Sequence, residues 1–172
     1  MGIALVIENF FTGNKKAQEI IGELLKQKGE TILVFWEGKQ LAPVLVKCLA
    51  KDFIIQEFKV PVYVFKFLSS VIPGNAPVVL KLLHETLRKD SADFLFVMLA
   101  KHVRMLAWAK IDPKTLLAPP WQKDSLIKQA SKFSEDQLIG LHSKLLEIDR
   151  KNKRSQLPED LSASLDLLVA SL

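Results

Sequence analysis

The stretch from Ser91 to Lys153 most constrains this fold, because three consecutive segments within it carry helical patterns. In the last segment, apolar residues recur at steps of three, four and three, a spacing that lines one side of a helix. Ser134 and Gln137 stand before this stripe in the S-x-x-Q order of a capping box, which predicts a helix that begins after Ser134. The three segments together predict a helical bundle. The apolar stripe consists of Leu138, Leu141, Leu145 and Ile148.

Proline, glycine and capping residues divide the rest of the C-terminal two thirds into further helices. A helix is predicted to start at Pro61 and to end before Pro73–Gly74. Asn75 is predicted to cap the next helix, and Ala92–Lys110 is predicted as one long helix. The acidic stretch Pro158–Asp160 is predicted to begin a closing helix.

The N-terminal third shows a different pattern, in which uninterrupted apolar runs flank a helical segment. Ile3–Ile7 and Thr31–Trp36 are such runs and predict strands that are buried on both faces. The apolar spacing within Lys15–Lys26 predicts a helix between them, and therefore a parallel βαβ unit. Leu41–Lys51 is predicted as a second helix and Phe53–Phe58 as a third, weaker strand. This order predicts a small parallel sheet.

The fold class predicted from these patterns is α/β plus all-α, with an α/β domain at residues 1–60 and a helical domain at residues 61–172. Of the 172 residues, 49% are hydrophobic and 25% charged, a balance typical of a globular protein. No apolar run approaches the roughly 20 residues that span a bilayer, so no membrane association is predicted. The single cysteine, Cys48, cannot form an internal disulfide, which predicts a cytoplasmic protein and a small buried role for Cys48.

The formal net charge of +5 permits an acidic partner such as nucleic acid. The densest basic run is Arg150–Arg154, at the end of a predicted helix. One interpretation is a solvated helix terminus, where cations are favoured by the helix dipole. The other is a phosphate-binding patch. Under this second interpretation the nucleic-acid contacts are Lys101, Arg150, Lys151 and Arg154.

The sequence predicts no catalytic residue, no cofactor and no metal. His84, His102 and His142 lie on different predicted helices without the convergent ligands that zinc requires. A phosphate-binding loop of the G-x-x-x-x-G-K-[ST] type does not occur. Glu37–Lys39 follows a predicted strand, where α/β proteins often bind ligands, and a plain turn is the alternative there.

Arg104 is a cation within an otherwise apolar predicted helix, and two interpretations of it are open. Its stem could lie along the apolar edge of the bundle with the charge in water. Alternatively, it could form an ion pair that fixes helix register, either with another subunit or with Asp149. Asp149 and Lys153 are four residues apart and so share one side of a helix. Trp108 is predicted to be a core or interface anchor. The candidate interface or register residues are Arg104, Trp108, Asp149 and Lys153.

The order of several residues resembles the C-terminal collar domain of the DNA polymerase III delta subunit, a component of the bacterial sliding-clamp loader. The similar features are a helix with V-R-M-L, a Pro-Pro helix start, a Q-A-x-x-F-S step, and a closing helix with I-D-x-x-x-K. They occur in this order over about sixty residues. The matching residues are Arg104, Pro119, Pro120, Gln129, Ala130, Phe133, Ser134, Asp149 and Lys153.

The N-terminal third is similar to the second half of the AAA+-like domain of the same family. The segments L-V-I-E-N-F and T-I-L-V-F-W-E-G-K resemble the strands that carry the Walker B and sensor 1 residues in active ATPases. Glu8–Asn9 stands where an ATPase would have Asp-Glu, and the resemblance implies a subunit that does not hydrolyse ATP. The family's clamp-contacting segment and lid domain have no counterpart in this sequence, so contact with the sliding clamp is not predicted.

The resemblance implies a non-catalytic part of the clamp loader in DNA replication, acting through contacts with the other loader subunits. The holoenzyme that contains this family is a DNA-directed DNA polymerase, a nucleotidyltransferase. Any contact with DNA would be electrostatic, through Lys and Arg. The alternative is a free-standing basic nucleic-acid-binding module. An enzyme with an unrecognised site would require a deep polar pocket near Trp36–Lys39.

Overall fold

The computed structural model describes residues 4–13, 16, 20, 21, 23, 29, 31–49 and 53–172. Two strands and eight helices are formed by these residues. The chain separates into two compact units, Met1–Phe58 and Lys59–Leu172. The molecule is therefore mostly helical, with a small sheet confined to its first unit.

The sheet of the first unit consists of two parallel strands, β1 and β2. They pair in register from Ala4 opposite Ile32 to Glu8 opposite Trp36. The predicted parallel pairing is confirmed for the described residues, but the predicted burial on both faces is wrong, since Val6 and Ile32 are 58% and 60% exposed. The helix predicted at Lys15–Lys26 lies largely outside them, although Ile20 and Ile21 are helical. The elements of this unit are β1 (Ala4–Glu8), α1 (Phe10–Gly13), β2 (Ile32–Trp36) and α2 (Pro43–Leu49).

The third strand predicted at Phe53–Phe58 is wrong, because residues 54–60 form no regular structure. Aromatic contacts hold this segment instead of ladder hydrogen bonds. The ring of Phe53 packs edge-on against Phe35 at 5.6 Å, and the ring of Phe58 lies 6.2 Å from that of Trp36. Two aromatic rings of the segment thus contact residues of β2, while Ile54 is fully exposed.

The buried role predicted for Cys48 is also wrong. Cys48 is exposed, whereas its neighbour Leu49 is buried. Consecutive positions on a helix point about 100° apart, so the side of α2 that buries Leu49 leaves Cys48 in solvent. The helix is shorter than the predicted Leu41–Lys51, since it begins at Pro43; residues 50–52 lie outside the described part of the chain.

The second unit consists of six helices, and their bounds agree closely with the sequence pattern. α7 has the predicted bounds, and α5 extends one residue beyond the predicted Lys110. None of the helices formed by described residues is both long enough and apolar enough to cross a membrane. The helices are α3 (Val62–Ser70), α4 (Ala76–Leu87), α5 (Ala92–Ile111), α6 (Pro120–Ala130), α7 (Glu135–Lys153) and α8 (Leu161–Ala170).

The helix at the centre of the second unit is α5. It packs against α3, α6, α7 and α8, which explains why it is apolar on most of its circumference. Its first turn is capped by Ser91, whose Oγ accepts a hydrogen bond from the amide of Phe94 at 3.2 Å. The α5 residues that are at most 1% exposed are Leu95, Leu99, Val103 and Leu106.

The predicted capping box of α7 is confirmed. Ser134 Oγ accepts from the amide of Gln137 at 3.1 Å, and Gln137 Oε1 accepts from the amide of Ser134 at 2.9 Å. Two otherwise unpaired donors of the first turn are thereby satisfied. The helix then buries Leu138, Leu141 and Leu145 against the core, so the predicted stripe is the side that packs.

Two other helix starts differ from the prediction. Asn75 precedes α4, but its side chain donates to the carbonyl of Ser70 at 2.8 Å and makes no capping bond. The closing helix begins at Leu161 and not at Pro158, because Asp160 is its cap. Asp160 Oδ1 accepts from the amide of Ala163 at 2.7 Å, the bond that fixes an N-cap residue outside the helix.

Candidate interaction surface

One side of α5 stays outside the core and carries the cations singled out in the sequence. The residues of this row share one side of the helix, because they recur at steps of four, three, four and three. They are Val97, Lys101, Arg104, Trp108 and Ile111. Lys101 and Arg104 are exposed and Trp108 is half-buried. The aliphatic ends of the row are open, with Val97 61% and Ile111 63% exposed. This side of α5 therefore alternates apolar and basic groups in solvent.

The ion pair of Arg104 with Asp149 is not formed. The carboxylate of Asp149 binds the ammonium of Lys153 at 2.8 Å, within the same helix. No ion pair of the described residues includes Arg104. Arg104 is thus a solvent-exposed cation of the bundle edge within this chain, and a role in contact with another subunit remains a prediction.

Trp108 is fixed by the connector that follows α5. Its indole Nε1 donates to Thr115 Oγ1 at 2.9 Å. Thr115 in turn donates to Asp112 Oδ2 at 2.8 Å, and this bond lowers the pKa of the Asp112 carboxyl. The connector folds back over the tryptophan as a result, which makes Trp108 an anchor of the connector.

The basic run at the end of α7 is partly neutralised within the helix. Lys151 binds the carboxylate of Glu147 at 2.7 Å, and this bond, with the lysine charge, lowers the pKa of Glu147. Lys153 binds Asp149, as described above. Arg150 and Arg154 are exposed and belong to none of the ion pairs of the described residues. Two of the five residues from Arg150 to Arg154 thus have their charge balanced nearby.

Two exposed apolar residues of α7 were not singled out from the sequence. Ile139 and Leu146 are seven residues apart and therefore lie on one side of the helix, away from the buried stripe. They are 53% and 62% exposed. Ile139 lines a crevice together with Ile111 of α5, so the exposed sides of the two helices adjoin. The signal that could have found them is the seven-residue spacing of apolar residues outside the core stripe.

These two helix sides together are called the α5–α7 face. Because Ile111 and Ile139 line one crevice, the face is continuous at that point. It presents four aliphatic side chains, each more than half exposed, and two exposed cations. The face consists of Val97, Lys101, Arg104 and Ile111 of α5 with Ile139 and Leu146 of α7.

A buried polar cluster joins α3, α5 and α6 beneath the surface. Gln129 Nε2 donates to the carbonyls of Leu68 and Val71 at 2.9 and 2.8 Å, which lie at the end of α3. Gln129 Oε1 lies 3.0 Å from His102 Nε2 and accepts a hydrogen bond from it. Gln129 is only 8% exposed, and its carboxamide satisfies the carbonyl of Val71, which the end of α3 would otherwise leave unpaired.

The three histidines do not form a metal site. Burial lowers the pKa of His102, against the opposing hydrogen bonds to Gln129 and to the carbonyl of Leu68. His84 hydrogen-bonds Asp166 across α4 and α8 at 2.7 Å, and His142 is exposed. No group of three or more metal-ligating side chains occurs among residues 4–172 outside the undescribed gaps. The histidines thus have separate roles.

The carboxyl end of the sheet is occupied by a side chain of the protein itself. Glu37, the residue after β2, accepts from the amides of Phe11 and Thr12 at 2.8 and 3.2 Å. Asn9, with φ of 50°, accepts from the amide of Gly38 at 3.1 Å. These bonds connect the residues after β2 to those after β1, and Gly38 and Lys39 form a bend.

Two crevices formed by described residues are shallow and argue little for a small ligand. One of about 180 Å³ lies between α7 and the end of α8, near Phe133 and Lys144. Pockets that enclose a cofactor or substrate usually measure about 300–1,000 Å³. Neither this crevice nor the one at Ile111 and Ile139 includes any of residues 36–39.

The residues that carry the family resemblance are distributed between the core and the surface. Ala130 and Phe133 are 1% and 3% exposed, and Pro120 occupies the first turn of α6, where a missing amide proton costs nothing. Arg104 lies on the exposed side of α5. Comparison with protein-family models, with curated proteins and with solved structures finds no match for this chain.

Proposed function

We propose that this protein is a delta-type, non-catalytic subunit of the DNA polymerase III clamp loader. In this proposal residues 61–172 form a helical domain of the collar type, and residues 1–60 form an AAA+-like part. The protein acts in DNA replication by holding neighbouring loader subunits through helix contacts.

The observation that carries the proposal is that four residues of the family resemblance make structural contacts within the helical unit. Gln129 binds the end of α3, and Ser134 forms the capping box of α7. Ala130 and Phe133 lie in the core between them. All four residues take part in the packing of α3, α6 and α7, which supports the resemblance of the Q-A-x-x-F-S order to that of the collar domain.

A non-catalytic role is supported by the N-terminal unit. The sequence lacks a phosphate-binding loop of the Walker type, so its glycine amides cannot cradle a triphosphate in that way. Glu37 accepts two amide protons at the carboxyl end of the sheet, where parallel α/β proteins bind ligands. An acidic side chain at this place repels phosphate.

The mechanism proposed is scaffolding by apolar helix sides. Aliphatic residues on α5 and α7 are more than half exposed, and such patches mark protein contacts. Contact with DNA, where it occurs, is electrostatic and involves the unpaired cations Arg150 and Arg154.

Co-purification of the full chain with the other clamp-loader subunits of its source organism tests this function. A stoichiometric complex that survives size-exclusion chromatography at physiological salt is expected. Absence of any complex, with the protein shown to be folded by circular dichroism, would reject the proposal. Steeply salt-dependent binding of duplex DNA by the isolated protein, without a subunit complex, would then favour a free-standing nucleic-acid-binding module.

A further inference from the structure

The α5–α7 face is more apolar than an ordinary solvated helix surface. Its aliphatic residues are 53–63% exposed, and Ile111 and Ile139 meet at one crevice. Single exposed aliphatic residues are common on proteins, but a group on two adjoining helices indicates a surface that another molecule covers.

The charge of this face is positive. Lys101 and Arg104 are exposed, and neither belongs to an ion pair of the described residues. The nearby acids of α7, Glu147 and Asp149, are already bound to lysines one turn further along. The crevice itself is lined by one charge of each sign, Lys110 and Glu135. The cations of α5 therefore remain available for carboxylates from outside.

We infer that the α5–α7 face binds a neighbouring protein subunit whose contact surface sets carboxylates around apolar side chains. This inference rests on the proposed function, since it names the surface through which one loader neighbour is held. Arg104 lies in the middle of the α5 row, where its planar guanidinium can bind a carboxylate with two parallel hydrogen bonds. The aliphatic residues on either side exclude water from that pair.

The charge pattern disfavours two other occupants. A second copy of this chain, related by two-fold symmetry, would bring a second positive face against the first, and two faces of like charge repel. A single-stranded nucleic acid is recognised by basic residues and open aromatic rings, but Trp108 is half-buried and tied to Thr115. The four aliphatic side chains would gain nothing from phosphates.

The test measures binding of the full chain to the other clamp-loader subunits, with variants of the face. Arg104→Glu and Leu146→Ser are each expected to weaken the complex at least about tenfold, and Arg104→Lys less than Arg104→Glu. Lys81→Glu and Val78→Ser, exposed changes of the same type on α4, serve as matched controls and are expected to bind as the wild type does. A complex that forms with equal affinity in all variants overturns the face while the proposed function stands.

If no subunit complex forms, a second measurement decides on the face alone. The probe is a synthetic amphipathic helix with leucines on one side and glutamates beside them, compared with the same peptide in which lysines replace the glutamates. Binding of the acidic peptide alone, lost in Arg104→Glu, supports the inference. Equal binding of both peptides, or of neither, overturns it. Self-association lost in Leu146→Ser, or binding of a 20-nucleotide single strand lost in Arg104→Glu, overturns it in favour of those occupants.

Discussion

Gln129 shows how one side chain can hold three helices in register. Its carboxamide is nearly enclosed, and its hydrogen-bond partners are 27 to 61 residues away along the chain. A sequence pattern can identify Gln129 as part of a recurring step, but it cannot name partners that only the packed fold brings together. The resemblance therefore included Gln129 without revealing its bonds.

Replacement of Gln129 by alanine is expected to lower the free energy of unfolding by about 1–3 kcal/mol. The reason is that the carbonyl of Val71 would be left buried and unpaired, while His102 and Leu68 would each lose one hydrogen bond. Urea unfolding followed by circular dichroism measures the change. Gln122→Ala, at a less buried position of the same helix, is the control and is expected to stay within about 0.5 kcal/mol of the wild type. Equal losses in the two variants would refute the role given to Gln129.

His102 is expected to make the helical unit less stable in mild acid. Burial lowers its pKa in the folded state, so between that value and about 6.5 the unfolded chain binds more protons than the folded one. The stabilisation is complete above the unfolded pKa and is lost as the pH falls below it. Free energies of unfolding at pH 7.5 and 5.5 should differ more for the wild type than for His102→Gln. The same difference in both proteins would contradict this account.

Arg104 and Asp149 mark the limit of prediction for charged side chains. Sequence spacing correctly placed Asp149 and Lys153 on one side of α7, because that relation depends on local helix geometry. The pair of Arg104 with Asp149 required the relative rotation of two helices, which spacing does not contain. Charged side chains can also reach several partners, and Asp149 forms its ion pair with Lys153 on the same helix.

At the scale of secondary structure, two predictions that rest on local chemistry are confirmed, whereas the cap predicted at Asn75 is not formed. The capping box of Ser134 and Gln137 set the start of α7, and proline and glycine at positions 73 and 74 follow the end of α3. The strand predicted at Phe53–Phe58 is wrong because strand formation depends on pairing with a distant segment, which local sequence does not determine. A strand exists only if it pairs with another, and these aromatic residues pack on Phe35 and Trp36 through their rings.

Removal of the α7 cap is expected to destabilise the helical unit measurably. Ser134→Ala deletes the acceptor of the Gln137 amide and should cost about 1 kcal/mol of unfolding free energy. Ser143→Ala, in the exposed middle of the same helix, is the matched control and should be neutral or slightly stabilising, since alanine is the better helix former. Thermal unfolding of both variants compares them. An unchanged melting temperature for Ser134→Ala would show that the capping box contributes nothing.

At the scale of the molecule, the chain combines a helical unit that has a continuous core with a smaller unit built on two strands. The helical unit buries 23 apolar residues in one cluster, whereas Trp36 and Val34 of the sheet remain 53% and 42% exposed. The division into an α/β part and a helical part follows from sequence periodicity. The binding partner does not follow from sequence periodicity, because one fold hosts many functions and a contact surface is specified by a few exposed residues.

Hydrogen exchange of the full chain, with and without the other clamp-loader subunits, tests the central claim most directly. The claim is that this protein serves the loader by subunit contact through the α5–α7 face. The account predicts slower amide exchange in residues 92–111 and 135–153 when the subunits are present, with α4 unchanged. Identical exchange throughout the folded chain would contradict the claim, and protection confined to residues 4–49 would assign the contact to the other unit.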